Sequence, residues 1–589
     1  MLFRTLTPCR GWIAGMGLAM LAVTSAQGVL AQKAAPPLPP LLDTMSSELT
    51  RAMSSLGKTG GDKPGGDKQL PPYFLSYSVA DAEAVEIRAQ FGALADSTSN
   101  RARVVDVQVR VGEPTLDNTH NAHRASAVNT ASLPLSDDRE AIARALWSAT
   151  NAGYGRALDN YLQVKTEAEV RAKEEDTSGD FSKETAQVSV SKAAPAPKVD
   201  RAAWEARVRA LSKIFREYPD VTQNVVMLSA ENETDYYASS EGSRLVSPHE
   251  SARLVVFAVT RAEDGMDLFR DQTFEAKTID GLPAQAELEA AIRELGKSLE
   301  ELRKAPVTEP FNGPAILSGR ASAVFFHEVL GHRLEGQRQR GDEEGQTFTK
   351  DLNKPVLPSF LSVADDPTVT SYGKTWLSGS YTYDDEGQKA QRVELIQDGV
   401  LKNFLMSRLP IASFSNSNGH GRGQTGRMPN GRQGNLIVSS TNKVSEPALR
   451  KMLVDEAKKQ GKAYGLYFED ISSGFAVTER SSPQAFQVIP LVVYRVYVDG
   501  RPDELVRGVS IVGTPLAAMK RIVATGDVSE VFNGICGAES GSVPVSAVAP
   551  AMLLTEMETQ KQPQGSERPP ILPIQGTNGT AAVAAGKGN

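Results

Sequence analysis

Two imidazoles and a carboxylate fall within six residues at His327-Glu328-Val329-Leu330-Gly331-His332, directly after the apolar run Ala323 to Phe326. The whole chain holds 6 histidines, so a HExxxH arrangement is a rare coincidence at this composition. In the familiar zinc-protease spacing, HExxH, the histidines lie four apart on one face of an α-helix. Here they lie five apart, which on a regular helix separates the side chains by about 140°. A π-type turn or a bulge near Gly331 would return both to one ion, so a local irregularity is expected there. Two imidazoles leave a catalytic zinc one protein ligand short, and thiolate is among its preferred donors. Cys536 offers that thiolate from Asn533-Gly534-Ile535-Cys536-Gly537, read as a glycine-flanked turn able to approach an ion closely. Glu328, beside the first histidine, is then the expected base that deprotonates a metal-bound water and protonates the leaving amine. The alternative is a structural helix with two surface histidines and an unrelated cysteine.

Composition narrows the setting. The chain has 589 residues, 40% of them hydrophobic and 23% charged, as in ordinary globular protein of more than one domain. A net charge of -7 without a long basic block argues against a nucleic-acid surface. Arg4 and Arg10 precede an apolar run from Trp12 to Val23 that ends in small residues, the pattern of a secretory signal peptide cleaved after Ala31. Residues 1–31 are therefore expected to be removed, leaving an exported protein, periplasmic in a Gram-negative source. No later stretch reaches about 18 continuous apolar residues, so no stable membrane insertion is expected. Cys9 departs with the leader, and Cys536 remains as an unpaired thiol in an oxidising compartment, either buried and inert or held for chemistry.

The elements that must position these residues divide the chain. Residues 32–72, with GDKPGGDK, read as a flexible linker. Residues 73–305 read as an N-terminal α+β domain. Within it, Val104 to Val111 alternates as a strand, and Asp137 to Leu162 has helical spacing. Trp204 to Phe215 reads as a helix, Arg253 to Thr260 as a strand, and Leu288, Ile292, Leu295, Leu299 and Leu302 form one helical stripe. Residues 166–200, charged and then Ala- and Pro-rich, read as a flexible insertion. Residues 306–560 read as a mainly β domain entered through the HExxxH helix. Its predicted hairpins carry Asp398-Gly399 and Asp499-Gly500, and its helices lie at Glu446 to Gln460 and Pro515 to Ala524. Asn416 to Gly434, dense in Gly, Asn and Arg, reads as a mobile loop, and 561–589 as a disordered tail. The fold class expected is α+β: a mixed α/β N-terminal domain and a mainly β C-terminal domain, with the metal-binding helix between them.

HEVLGHRLEG resembles the HExxxH motif of the TldD/PmbA family of metalloproteases, in its metal-motif-carrying, TldD-like branch. Tyr383-Asp384-Asp385-Glu386-Gly387 with the following QRVELIQDGVLKNFLMSRL, and ICGAESGSVPVSAVAPAMLL, resemble two further family motifs in the right order, over roughly Pro314 to Leu554. The resemblance implies a zinc ion on His327, His332 and Cys536, Glu328 as base, and hydrolysis of unfolded or extended peptides in an enclosed chamber. Such peptides would be held by strand addition, which reads backbone more than side chains. It also implies a dimer, either with a motif-lacking family paralogue or, for an exported member, with a second copy. Arg333 stands where the family often has a small residue. His420 and Tyr383 are weak candidates for an oxyanion stabiliser.

Glu335, three residues past His332, could orient that imidazole or could be a solvated helix-end charge. His120 and His123 lie at i, i+3 but have no third donor nearby in sequence, and His249 sits in polar surroundings. Besides peptide hydrolysis, the same groups would serve a zinc hydrolase of a non-protein amide. A non-catalytic binding protein with a structural zinc is a further alternative, which the carboxylate of Glu328 and the lack of an obvious fourth ligand disfavour.

Overall fold

The computed structural model describes residues 38–57, 70–121, 124, 127–170, 176–340, 345–476, 478 and 486–562. The predicted leader, the GDKPGGDK segment and the tail beyond Gln562 lie outside the described residues. The elements below all fall in one unit, Pro39–Asn589.

Long amphipathic strands build the first sheet. Its 8 strands run, in spatial order, Leu116–Asp117, Ala93–Glu113, Pro72–Gln90, Val221–Ser239, Arg244–Arg261 and Val188–Val190, with Val128–Ser132 and Asp267–Ala276 paired beside this path. One face carries Val226, Leu228, Leu254 and Val256, buried under Val208 and Leu211 of the helix Arg201–Lys213. The helix Gln285–Lys304 adds Leu288, Ile292, Leu295, Leu299 and Leu302, all buried as their single stripe requires.

Two segments expected to be loose are built into this half. The predicted linker 32–72 contains the helix Pro40–Ser55, which buries Leu41, Leu42, Met45, Leu49 and Ala52. That stripe at helical spacing was masked in composition by the Pro- and Gly-rich residues on either side. In the predicted flexible insertion 166–200, residues up to Val170 end the helix Arg139–Val170, and Val188–Val190 pairs in parallel with Arg244, Leu245 and Val246; residues 171–175 lie outside the described residues. Charge and π contacts fix this segment, because Asp180 bonds Arg340 at 2.9 Å and His120 at 2.8 Å. The Phe181 ring lies 3.8 Å from both the Arg110 and the Arg408 guanidinium.

The C-terminal half is mainly β, as expected. A 12-stranded sheet centres on Gly541–Lys561, which pairs with Ile522–Ala538, Asn435–Ser440, Val509–Gly513 and Phe311–Leu317. Phe486–Tyr497 and Tyr464–Ala476 continue the path back to Phe311–Leu317, closing a ring of strands. At Asp398-Gly399 both residues have positive φ, 48° and 80°, the twist that a two-residue hairpin between Val393–Gln397 and Val400–Leu401 needs. The helix Glu446–Lys459 matches its sequence pattern, whereas Pro515–Lys520 stops earlier than spacing suggested and Ile522 begins a strand.

The predicted mobile loop Asn416 to Gly434 is held in place. Distant carboxylates accept its backbone amides: Asp384 from Gly421 at 2.8 Å, Asp385 from Gly423 at 2.7 Å, Asp106 from Gly426 at 2.7 Å and Asp365 from Gly434 at 3.1 Å. Such long-range caps leave no mark in local composition. Among the described residues no helix is long and apolar enough to cross a membrane.

Candidate metal centre

The strand Phe311–Leu317 feeds directly into the helix Gly319–Val329, whose first turn is capped by the Ser318 hydroxyl accepting the Ala321 amide at 3.0 Å. Ala321, Val324, Phe325, Phe326 and Val329 are buried, as the helix packs against Tyr464–Ala476, Ile522–Ala538 and Gly541–Lys561. Its last turn carries His327 and Glu328.

The expected irregularity lies at Gly331, in a different form from a π-type turn. The α-helix ends at Val329, and Gly331–Leu334 forms a separate 3-10 turn that carries His332. Breaking the helix swings the second imidazole round to the first, and the ring centroids stand 5.0 Å apart. The Gln433 side chain holds the break, donating from Nε2 to the His327 carbonyl at 3.3 Å. A Cβ on Gly331 would lie 2.0 Å from Gln433 Oε1, so a close approach rather than backbone freedom demands glycine there.

Cys536 lies on the strand Ile522–Ala538, opposite Val543, and not on the turn its glycine neighbours suggested. From there its Sγ is 3.2 Å from His327 Nε2 and 3.4 Å from His332 Nε2. One donor atom from each of the three residues lies within 4.8 Å of the others, and all three residues are buried. Glu328 stands beside the trio, its Oε2 3.9 Å from His332 Nε2.

Electrostatics within the cluster are self-consistent. Burial works against charge on all three groups, but the mutual attraction of sulfur and imidazoles outweighs it. Cys536 is held well below the usual thiol range, and both histidines are raised. Glu335 adds to this as a fully buried carboxylate accepting from His332 Nδ1 at 3.1 Å. Burial alone would push Glu335 up, yet His332 and Arg338 bring it down to about 2. Arg338 Nε donates to its Oε2 at 2.8 Å, and Arg432 Nε lies 3.4 Å from its Oε1. Of the two readings of Glu335, the orienting one is the geometry observed. His327 Nδ1 is buried and has no hydrogen-bond partner among the described residues.

Two imidazoles and a thiolate at these separations fit a divalent ion of zinc's preferences, with a coordination position left for water or substrate. The cluster opens onto a cavity of about 1370 Å³ that His327, Glu328, His332 and Cys536 all line. His420 and Tyr383 do not line it. His420 is fully buried, with Nε2 3.3 Å from Asp365, and Tyr383 bridges to Lys389. His120 is engaged by Asp180 and His249 by Asp235, while His123 lies outside the described residues. Gln433, Arg432 and Arg338 shape the centre without having been legible beforehand. Arg432 and Gln433 fall in the stretch that reads as a polar loop, and only the fold brings them under the helix break, while Arg338 follows in the turn Gly336–Gln339.

Residues 311–561 match the PmbA/TldA metallopeptidase C-terminal domain. Residues 311–561 are thus a domain of the TldD/PmbA type, and curated relatives named for TldD and for metalloprotease match the chain at low identity. Among curated relatives, a metalloprotease TldD homolog of Haemophilus influenzae is 27% identical over 252 residues, 41% of this chain and 47% of that protein. A metalloprotease of Methanothermobacter thermautotrophicus is 26% identical over 325 residues, 53% of this chain and 64% of that one. A zinc metalloprotease TldD homolog of Saccharolobus solfataricus is 24% identical over 55% of this chain and 68% of its own length. The chain thus spans between about half and two thirds of these TldD/PmbA relatives. TldE from Thermococcus kodakarensis superposes with a TM-score of 0.54 at 11% identity, over 83% of this chain and 97% of that one. A Thermotoga maritima protein named for modulation of a DNA gyrase gives 0.55 at 15% identity, over 82% and 96%. These likenesses establish the TldD/PmbA fold.

Proposed function

We propose that this chain is a zinc-dependent metallopeptidase of the TldD/PmbA type acting on unfolded or extended peptides, with His327, His332 and Cys536 holding the metal and Glu328 as the catalytic base. The observation that carries the reading is the convergence of those three donors on a cavity wall, with a carboxylate beside them. Zinc bound there supplies a positive centre that acidifies a water and polarises the carbonyl to be cleaved.

The chain's own residues do the rest. Glu328, whose side chain is 12% exposed, has the position to take a proton from the attacking water and pass it to the leaving amine. Glu335 holds the His332 ring by its Nδ1, which fixes the tautomer that leaves Nε2 free to coordinate. Arg338 ties Glu335 to Glu539 at the cavity rim with bonds of 2.8 and 2.9 Å.

Substrate class follows from how one strand meets the cavity. Val531 to Ala538 of the strand and Glu539 after it line it as nine consecutive residues, so the strand's edge borders the cavity as well as its side chains. Residues 529–538 pair with Gly541–Lys561 on one side, and among the described residues no strand pairs along the other. An extended peptide adding itself to that edge would be held through its backbone beside Cys536.

Two wider parts of the reading are the chain's setting and its assembly. Residues 1–31 would direct export to the periplasm, and the working form would be a dimer, with a second copy or with a motif-lacking paralogue, enclosing the cavity. The decisive test of the catalytic reading is Glu328→Gln. Peptide hydrolysis should fall by about 10²- to 10⁴-fold with zinc content unchanged. Retained hydrolysis would remove Glu328 from the base role.

A further inference from the structure

The walls of the cavity differ in how far their side chains are already satisfied. Arg253 pairs with Glu275 at 3.0 Å, Arg320 with Asp470 at 3.0 Å, and Arg338 with Glu335 and Glu539. Asp271 accepts from the Ser472 hydroxyl at 3.2 Å. The charges around the cavity are thus engaged with one another. Its large apolar side chains include two that are not. Phe475 is 52% exposed and Ile535 is 51% exposed, and both line the cavity. Apolar side chains beside a few placed polar groups in one concave site are the usual make-up of a ligand pocket.

Their positions relative to the reacting groups sharpen this. Ile535 immediately precedes Cys536 on the strand whose edge meets the cavity. Phe475 immediately follows Gly474, a residue packed so closely on Glu328 that a Cβ there would lie 2.8 Å from the Glu328 Cγ. Phe475 belongs to the run Ser472 to Ala476, which also lines the cavity residue by residue and so presents a second strand edge. One apolar side chain therefore stands one residue from Cys536 and the other one residue from the glycine packed on Glu328, each on the opposite face of its strand from that neighbour, and the site helix contacts both strands.

We infer that Phe475 and Ile535 form the side-chain specificity site of this chain, selecting peptides with a large apolar residue at a position flanking the cleaved bond. The inference rests on the metallopeptidase reading above and narrows it, since strand addition alone would be indifferent to side chains. An extended peptide offers alternate side chains to opposite faces, so one residue beside the cleaved bond can meet an apolar wall while its neighbour does not. Hydrophobic pockets discriminate by roughly 10- to 200-fold per methylene. Leucine or phenylalanine should therefore be preferred over serine by at least about tenfold in kcat/KM.

The test uses the zinc-loaded full chain and a library of unstructured peptides, with cleavage sites read by mass spectrometry and kcat/KM then measured on a Leu/Ser pair of one sequence. The expected result is apolar enrichment at one flanking position and a Leu/Ser ratio of about ten or more, falling to about three or less in Ile535→Thr and in Phe475→Thr. Threonine keeps strand preference, and zinc stoichiometry reports whether the adjacent centre survives. Cleavage by the unaltered chain with a ratio near one overturns the specificity site and leaves the metallopeptidase reading standing, whatever the variants do. A high ratio that neither folded variant lowers assigns the preference elsewhere and also overturns it. Absence of cleavage of any peptide removes both.

Discussion

Glu335→Gln separates a residue that holds a ligand from one that merely fills the core. The carboxylate is fully buried and faces three nitrogen donors: His332 Nδ1 at 3.1 Å, Arg338 Nε at 2.8 Å and Arg432 Nε at 3.4 Å. Glutamine keeps the shape and one acceptor oxygen but removes the charge that orients the His332 ring and raises its basicity. Loss of such a partner typically weakens metal binding by about 10- to 100-fold, or about 1.4 to 2.7 kcal/mol. The two guanidiniums are not abandoned, because Arg338 keeps Glu539 at 2.9 Å and Arg432 keeps the Cys536 carbonyl at 2.8 Å. The fold should therefore lose only about 1 to 3 kcal/mol. The assay is a competition titration of metal-free protein against a chromogenic zinc chelator, run beside a denaturant melt of the same metal-free sample. Zinc affinity within threefold of the unaltered chain would refute the orienting role. A collapse of the metal-free fold would refute the account of how the arginines are satisfied.

Gly331→Ala should be poorly tolerated, because its Cβ would enter the 2.0 Å gap to Gln433 Oε1; a loss of about 1 to 3 kcal/mol in urea unfolding together with reduced zinc content is expected, and normal values for both would contradict the packed-break explanation. Asp180→Asn removes the charge between Arg340 and His120, leaving Arg340 buried without its carboxylate, and should cost about 3 to 5 kcal/mol by chemical denaturation; a change under 1 kcal/mol would show that residues 176–200 are not anchored there. Burial and the neighbouring Asp235 push the Glu233 carboxyl well above its ordinary range, so the folded chain binds more protons than the unfolded one, and stability should fall as pH rises from about 4. In Glu233→Gln that fall should be shallower in a Tm-against-pH series, and an unchanged slope would remove Glu233 as its source.

The chemistry was legible in the sequence because it depends on rare residue types at short spacing. His327, Glu328 and His332 announce themselves within six positions, and Cys536 is one of only two cysteines in the chain. Even there, local reasoning reached only halfway. It required an irregularity near Gly331, as a π-type turn or a bulge, but not the helix end and separate 3-10 turn found there, since the reason for that turn is Gln433, about a hundred residues away in the chain. It read Cys536 as a turn residue from its glycine neighbours, whereas cross-strand pairing with Val543 keeps it extended. The long amphipathic elements, such as Gln285–Lys304, were legible from periodicity alone. Pro40–Ser55 was hidden by the composition of its flanks. The loop 416–434 and the segment 176–200 misled for one common reason: both are polar stretches ordered by ion pairs and amide caps from remote carboxylates and arginines. Such contacts follow from the fold and leave no periodic trace.

His327, His332 and Cys536 should hold one metal ion between them. Metal content by mass spectrometry, on the purified chain after zinc loading and beside Cys536→Ala, tests it most directly. About one zinc per chain is predicted, lost or strongly reduced in the variant. Equal zinc in both would contradict Cys536 as a ligand, and no zinc in the loaded, folded chain would contradict the centre itself.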